Sequence, residues 1–169
     1  EGLKISQDHA SAQQAGIYAA PEGNSAATEA HISHNIVRAT AYGGRIAIDL
    51  NGNSNGGLYY VHNNIVYDYG LIGVYLYSGS GDPGDNIAYV YNNTLYDCTQ
   101  GISLDPDTYM YAKNNIVVGS GDVNSYVGTF QPGTDYNSTD SNDDIGTGSN
   151  NRTNQTFTCF APYRFLSSA

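Results

Sequence analysis

An asparagine returns along this chain in one fixed setting, and that recurrence limits the possible folds more than any other feature. Four segments align: His31-Ile32-Ser33-His34-Asn35-Ile36-Val37-Arg38, Tyr60-Val61-His62-Asn63-Asn64-Ile65-Val66-Tyr67, Tyr89-Val90-Tyr91-Asn92-Asn93-Thr94-Leu95-Tyr96 and Tyr111-Ala112-Lys113-Asn114-Asn115-Ile116-Val117-Val118. Their shared asparagines, Asn35, Asn64, Asn93 and Asn115, stand 29, 29 and 22 residues apart. A degenerate copy, Lys4-Ile5-Ser6-Gln7-Asp8, puts Asp8 in the same place. A second element follows each copy at a short interval: Gly16-Ile17-Tyr18-Ala19, Arg45-Ile46-Ala47-Ile48, Gly73-Val74-Tyr75-Leu76 and Gly101-Ile102-Ser103-Leu104. A period of this length is the mark of a repeat architecture. Within each element apolar residues alternate with others, which is the strand period.

Each repeat therefore reads as a strand, an asparagine turn, a second strand, a short turn, a third strand and a variable loop. One such unit cannot bury its apolar face alone, whereas stacked units can. Parallel stacking at the strand spacing of ~4.8 Å brings each asparagine beside the next. Side-chain amides in that position both donate to and accept from their neighbours. The sequence thus predicts an all-β single-stranded parallel solenoid of about five to six rungs, three short strands to a rung. It spans residues 1–118. Its inward columns are Ile32, Val61, Val90, Ala112; Val37, Val66, Leu95, Val117; and Ile17/Ala19, Ile46/Ile48, Val74/Leu76, Ile102/Leu104. Residues 119–169 depart from the pattern and hold all four phenylalanines, Phe130, Phe157, Phe160 and Phe165. They read as a polar loop followed by a segment packing on or capping the solenoid.

The Asn-Asn-Ile-Val and Gly-Ile-x-Leu pieces resemble the generic rung of right-handed parallel β-helix proteins of the pectate-lyase-like superfamily, over roughly residues 3–118. That resemblance implies a right-handed coil. It also implies that a glycan groove, if present, lies on the sheet built from the third strands. It does not imply a reaction, because many chemistries share the scaffold. Outward positions on that sheet read as Tyr18, Ala47, Tyr75, Ser103 and then Ala20, Asp49, Tyr77, Asp105, with Arg45 at its start. Asp49 and Asp105, two rungs apart, would have backbones ~9.6 Å apart, near the upper limit for an inverting carboxylate pair. An aspartate ending a strand is more often a turn cap. The Asn-Thr-Asp, Gly-His-Gly and Arg-Ile-Lys motifs expected of a polygalacturonase-like member are missing in that order. Lys113, Arg38 and Arg45 are the basic residues of the repeats and lack an acidic calcium cluster for lyase chemistry. Asp49, Asp105 and Arg45 are thus the weak catalytic candidates, and the enzymatic reading stays open, leaning towards none.

Tyrosine is the stronger signal, with 16 in a chain of 169 residues. Tyr18, Tyr60, Tyr75, Tyr77, Tyr89 and Tyr111 fall on outward positions. Exposed rings suit stacking on sugars or on another protein, while neighbouring rings also stabilise a sheet by stacking on each other. His31, His34 and His62 lie on first strands; two in neighbouring rungs could hold a metal, but zinc takes three or four ligands and no third is evident, so exposed ladder positions are the preferred reading. Oxygen-rich loops offer Asp49, Asn51 and Asn53, then Asp82 and Asp85, as calcium candidates; ordinary Asx turns explain them equally. Cys98 and Cys159 form either one disulfide or two buried thiols.

The formal net charge of −10 repels nucleic acid and anionic membranes, and no apolar run approaches the ~20 residues of a membrane span. Low Lys with abundant Tyr, Asn, Ser, Thr and Gly points to a secreted or cell-surface protein, and a start without Met to a mature product or an excised piece. A strand beginning at Leu3 would leave the first rung bare. Three functions remain: a non-catalytic module binding glycan or a surface, a self-associating fibre subunit, or a fragment of a polysaccharide lyase or glycoside hydrolase. The expected partner is a polysaccharide or another copy of the chain.

Overall fold

The computed structural model describes residues 3–7, 15–20, 28–39, 45–51, 56–78, 86–120, 124–142, 145 and 148–157. Among the described residues the chain forms fifteen strands and no helix. Up to the last strand, consecutive strands visit three sheets in turn. Sheet A holds β1 (Lys4–Gln7), β4 (Ile36–Ala39), β7 (Ile65–Tyr67), β10 (Thr94–Tyr96), β13 (Ile116–Val118) and β15 (Ser138–Thr139), in that order. Sheet B holds β2 (Ala15–Ala19), β5 (Ile46–Asn51), β8 (Ile72–Tyr77), β11 (Gln100–Leu104) and β14 (Tyr126–Val127). Sheet C holds β3 (Thr28–Ser33), β6 (Gly57–His62), β9 (Asn86–Tyr91) and β12 (Tyr109–Lys113). Every pairing is parallel. The protein is therefore all-β, built of stacked parallel strands, an arrangement compatible with a parallel solenoid.

The corners explain why the strands are so short. Between sheets C and A the residue before each ladder position takes a left-handed backbone: His34 (φ 59°), Asn63 (57°), Asn92 (56°), Asn114 (55°) and Tyr136 (59°). Asparagine tolerates that region better than most residues, which accounts for the doubled asparagines. Beyond sheet A, Asp68, Asp97 and Gly119 have positive φ in the same way.

The next residue at the first corner is the ladder asparagine. Asn64 shows the full pattern. Its Oδ1 accepts from the backbone N–H and the side-chain amide of Asn35, both at 3.0 Å. Its own amide donates to Asn93 Oδ1 at 3.0 Å and to the Ile32 carbonyl at 2.9 Å. Both donors and both lone-pair directions of a buried amide are thus used. Asn93 and Asn115 repeat the arrangement.

Aliphatic side chains fill the interior in registered columns. Ile32, Val61, Val90 and Ala112 are paired across sheet C. Val37, Val66, Leu95 and Val117 are paired across sheet A. Ile36 and Ile65 point outward and are exposed.

In sheet B the register differs from the expected one. Ile48 pairs with Ile17 and Val74, and Leu50 with Ala19 and Leu76. The expected alignment had β5 two residues out. A two-residue shift preserves strand alternation, so periodicity alone cannot detect it. The discriminating feature is size. Gly16, Ala47, Gly73 and Gly101 share one column, where a Cβ added to Gly73 would lie 2.7 Å from the Gly101 carbonyl oxygen. Only a very small residue fits there, so Ala47 belongs in that column and is fully buried.

Pairing does not stop at residue 118, where the sequence was expected to leave its repeat. β14 joins sheet B and β15 joins sheet A. Asn115 donates to Asn137 Oδ1 at 3.0 Å, and Asn137 to Asn151 Oδ1 at 3.2 Å. Phe130 packs edge-on against Tyr126 inside the core. Residues 158–169, with Phe160 and Phe165, lie outside the described residues.

Candidate functional site

The corrected register redraws the outward face of sheet B. One column is Tyr18, Asp49, Tyr75, Ser103 and Val127. The next contains Asn51 and Tyr77, with Asp105 following Leu104 and donating its backbone N–H to the Leu76 carbonyl at 3.0 Å. Ala47 is removed from this face, and Asp49 stands beside Tyr18 and Tyr75 rather than Tyr77. Asp49 and Asp105 lie two strands and two residues apart, a backbone separation of about 12 Å by strand geometry. That exceeds the ~9.6 Å expected for one column and does not form a matched carboxylate pair. Arg45 precedes β5 at the corner, where its carbonyl accepts from Ile72 N–H; the observed register puts it two positions further from Tyr18 and Tyr75 than the expected alignment did.

Two polar centres remain on this face. Tyr75 donates its hydroxyl to Asp105 Oδ1 at 2.5 Å. The backbone N–H and hydroxyl of Ser78 reach Asp105 Oδ2 at 3.3 and 3.4 Å. Burial raises the Tyr75 pKa, and the bond to the carboxylate raises it further. Asp49 is different. Its Oδ1 is buried and has no hydrogen-bond partner among the described residues, and burial pushes its pKa up. On either side stand the most open rings of the face, Tyr18 at 59 % and Tyr77 at 40 % exposure.

The tyrosines of sheet C behave otherwise. His31, Tyr60, Tyr89 and Tyr111 form one stack, with ring centroids 4.7, 5.3 and 5.1 Å apart and planes within 12°. Each interior ring spends both faces on its neighbours, so this column holds the sheet together and offers ring edges rather than flat faces.

Of the calcium candidates, Asp49 and Asn51 project from the same side of β5, while Asn53, Asp82 and Asp85 lie outside the described residues. Among the described residues no three His, Cys, Asp or Glu side chains gather to hold a metal ion. Cys98 is a buried free thiol whose pKa is raised by burial to about 12; Cys159 lies outside the described residues.

Asn137 and Asn151 are the ladder members that sequence reasoning missed. The signal was present, for Asn137 follows Asn115 by the same 22 residues that separate Asn93 from Asn115. Ser138-Thr139 in place of Ile-Val concealed it. Comparison of the chain with protein-family models, with curated proteins and with solved structures gives no match.

Proposed function

We propose that the three sheets are the faces of one right-handed parallel β-helix of the pectate-lyase-like kind, that the protein works outside the cytosol, and that the outward face of sheet B binds a neutral or weakly charged polysaccharide without cutting it. The observation carrying this reading is the pair of exposed rings, Tyr18 and Tyr77, on the strands either side of Asp49, with the Tyr75–Asp105–Ser78 network beside Tyr77. Flat apolar faces beside fixed polar groups are what a pyranose requires, since it presents apolar C–H faces and equatorial hydroxyls. Asp49 has an acceptor with no partner among the described residues, and an incoming hydroxyl would supply one. The net charge of −10 disfavours polyanions. Against cutting stand the spread of the two carboxylates and the position of Arg45 at the corner.

Affinity electrophoresis across a panel of neutral and acidic polysaccharides tests the reading. At least one neutral polymer should retard the protein. Retardation should disappear in the Tyr18→Ala/Tyr77→Ala double variant and persist in Tyr60→Ala, whose ring lies in the sheet C stack. Free migration on every polymer, or retardation that ignores the double variant, rules the site out.

A further inference from the structure

We propose that His34, His62 and Asn63 form a surface site for a late first-row divalent cation of the zinc, copper or nickel type. His34 and His62 come from adjacent repeats, and their rings meet edge to face with centroids 5.7 Å apart. Nε2 of His34 and Nδ1 of His62 both face one atom, the side-chain nitrogen of Asn63, at 3.2 and 3.1 Å. A half-turn of the Asn63 amide exchanges its nitrogen for its oxygen with almost no change of shape. The amide oxygen then stands at about those separations from the two imidazole nitrogens.

These distances are close to those within a coordination shell. With metal–ligand bonds of ~2.0–2.1 Å, neighbouring donors lie about 2.8–3.0 Å apart on an octahedral ion and about 3.3–3.4 Å apart on a tetrahedral one. Once the amide has turned, the oxygen's distances to both nitrogens lie between these two spacings, within about 0.3 Å of either. Imidazole with one oxygen suits zinc, copper and nickel better than the harder calcium or magnesium.

The scaffold holds the donors in place. His34 and Asn63 occupy successive left-handed corners, at φ 59° and 57°. His34 N–H donates to the His62 carbonyl at 3.3 Å, and Asn63 N–H to the Tyr91 carbonyl at 3.1 Å. His34 and Asn63 are exposed, so the remaining positions of the ion face water. The ion would also sit on a molecule of net charge −10. Sequence alone shows two histidines without a third ligand; the left-handed corner is what turns Asn63 back towards both rings.

Zinc chloride titrated into the full chain, followed by isothermal calorimetry and by the imidazole proton signals, provides the test. Zinc should shift the His34 and His62 ring signals together, at one equivalent. His34→Ala and His62→Ala should each weaken binding at least about tenfold, the lower end of what losing even an indirect partner of a metal ligand costs. Asn63→Gly keeps the left-handed corner and removes the oxygen, so it should weaken binding; Asn63→Asp keeps the corner and supplies a carboxylate, so it should tighten it. His31→Ala should bind like the parent. All these positions are exposed or half-buried, and an unchanged circular dichroism spectrum verifies the fold of each variant. His34 and His62 signals that stay still at millimolar zinc overturn the proposal, as does a His34→Ala variant that binds like the parent. An Asn63→Asp variant no tighter than the parent overturns the three-donor site.

Discussion

At the scale of the residue, the ladder asparagine is the most heavily used side chain described. Asn64 takes part in four hydrogen bonds through its side chain, all buried. Removing it strands the Asn35 N–H and amide on one side, and on the other takes one of two donors from the Asn93 oxygen, which keeps the Asn64 backbone N–H. Each buried group left unpaired costs about 1–3 kcal/mol, and partial relaxation recovers some of it. Asn64→Ala is therefore expected to lose about 3 kcal/mol in urea denaturation. The exposed amide of Gln155, bonded to the Thr153 carbonyl, should cost under ~0.5 kcal/mol when replaced by Ala. Equal losses would mean that the ladder contributes nothing particular. The four asparagines named from their recurrence stand side by side because spacing identifies a stacked corner directly. The role of Asn63 was not legible, because it depends on a backbone angle that no spacing reveals.

At the scale of the element, the informative case is β5. The alternation of Ile46-Ala47-Ile48-Asp49-Leu50 fits two registers equally, and the expected one put Arg45 where Gly16, Gly73 and Gly101 have no side chain. Steric exclusion, not hydrophobicity, chooses between them. Ala47→Leu tests the choice. In the observed register the larger side chain is forced into a closed column and should cost about 1–3 kcal/mol by overpacking; on an outward face it would cost almost nothing. Thermal melts of Ala47→Leu against the parent decide the matter. β14 and β15 escaped sequence reasoning for a related reason. Each has two residues, too few to show a period, and the core beneath β15 is polar. Thr139 is fully buried and donates to Ser125 Oγ at 2.6 Å, and Ser141 reaches the same oxygen at 2.9 Å. A repeat that satisfies its core with hydroxyls gives no apolar signal.

At the scale of the whole molecule, the buried phenols and thiol set the alkaline limit. Burial raises Tyr59 and Tyr69 from 10.0 to about 12, and Cys98 from 9.0 to about 12. A group whose pKa is higher folded than unfolded adds stability that is complete below the unfolded value and is lost as pH rises through the folded one. The urea midpoint is therefore expected to hold up to about pH 9, then to fall between there and about pH 12. Tyr69→Phe should blunt that fall; its hydroxyl is buried without a partner among the described residues, so the variant should also be no less stable than the parent at neutral pH. A midpoint that is level from pH 9 to 12 would contradict the burial of all three. The ladder has a consequence at this scale too. Asn64, Asn93 and Asn115 make the same bonds to the same kinds of neighbour, so nothing in the bonding records how many members came before. The ladder is a ruler without numerals. Copying residues 64–92 in tandem would add one graduation, roughly one strand spacing of ~4.8 Å, with every amide of the ladder still matched. Length in such a molecule is a quantity that gene duplication can dial, while the corners and the core stay as they are.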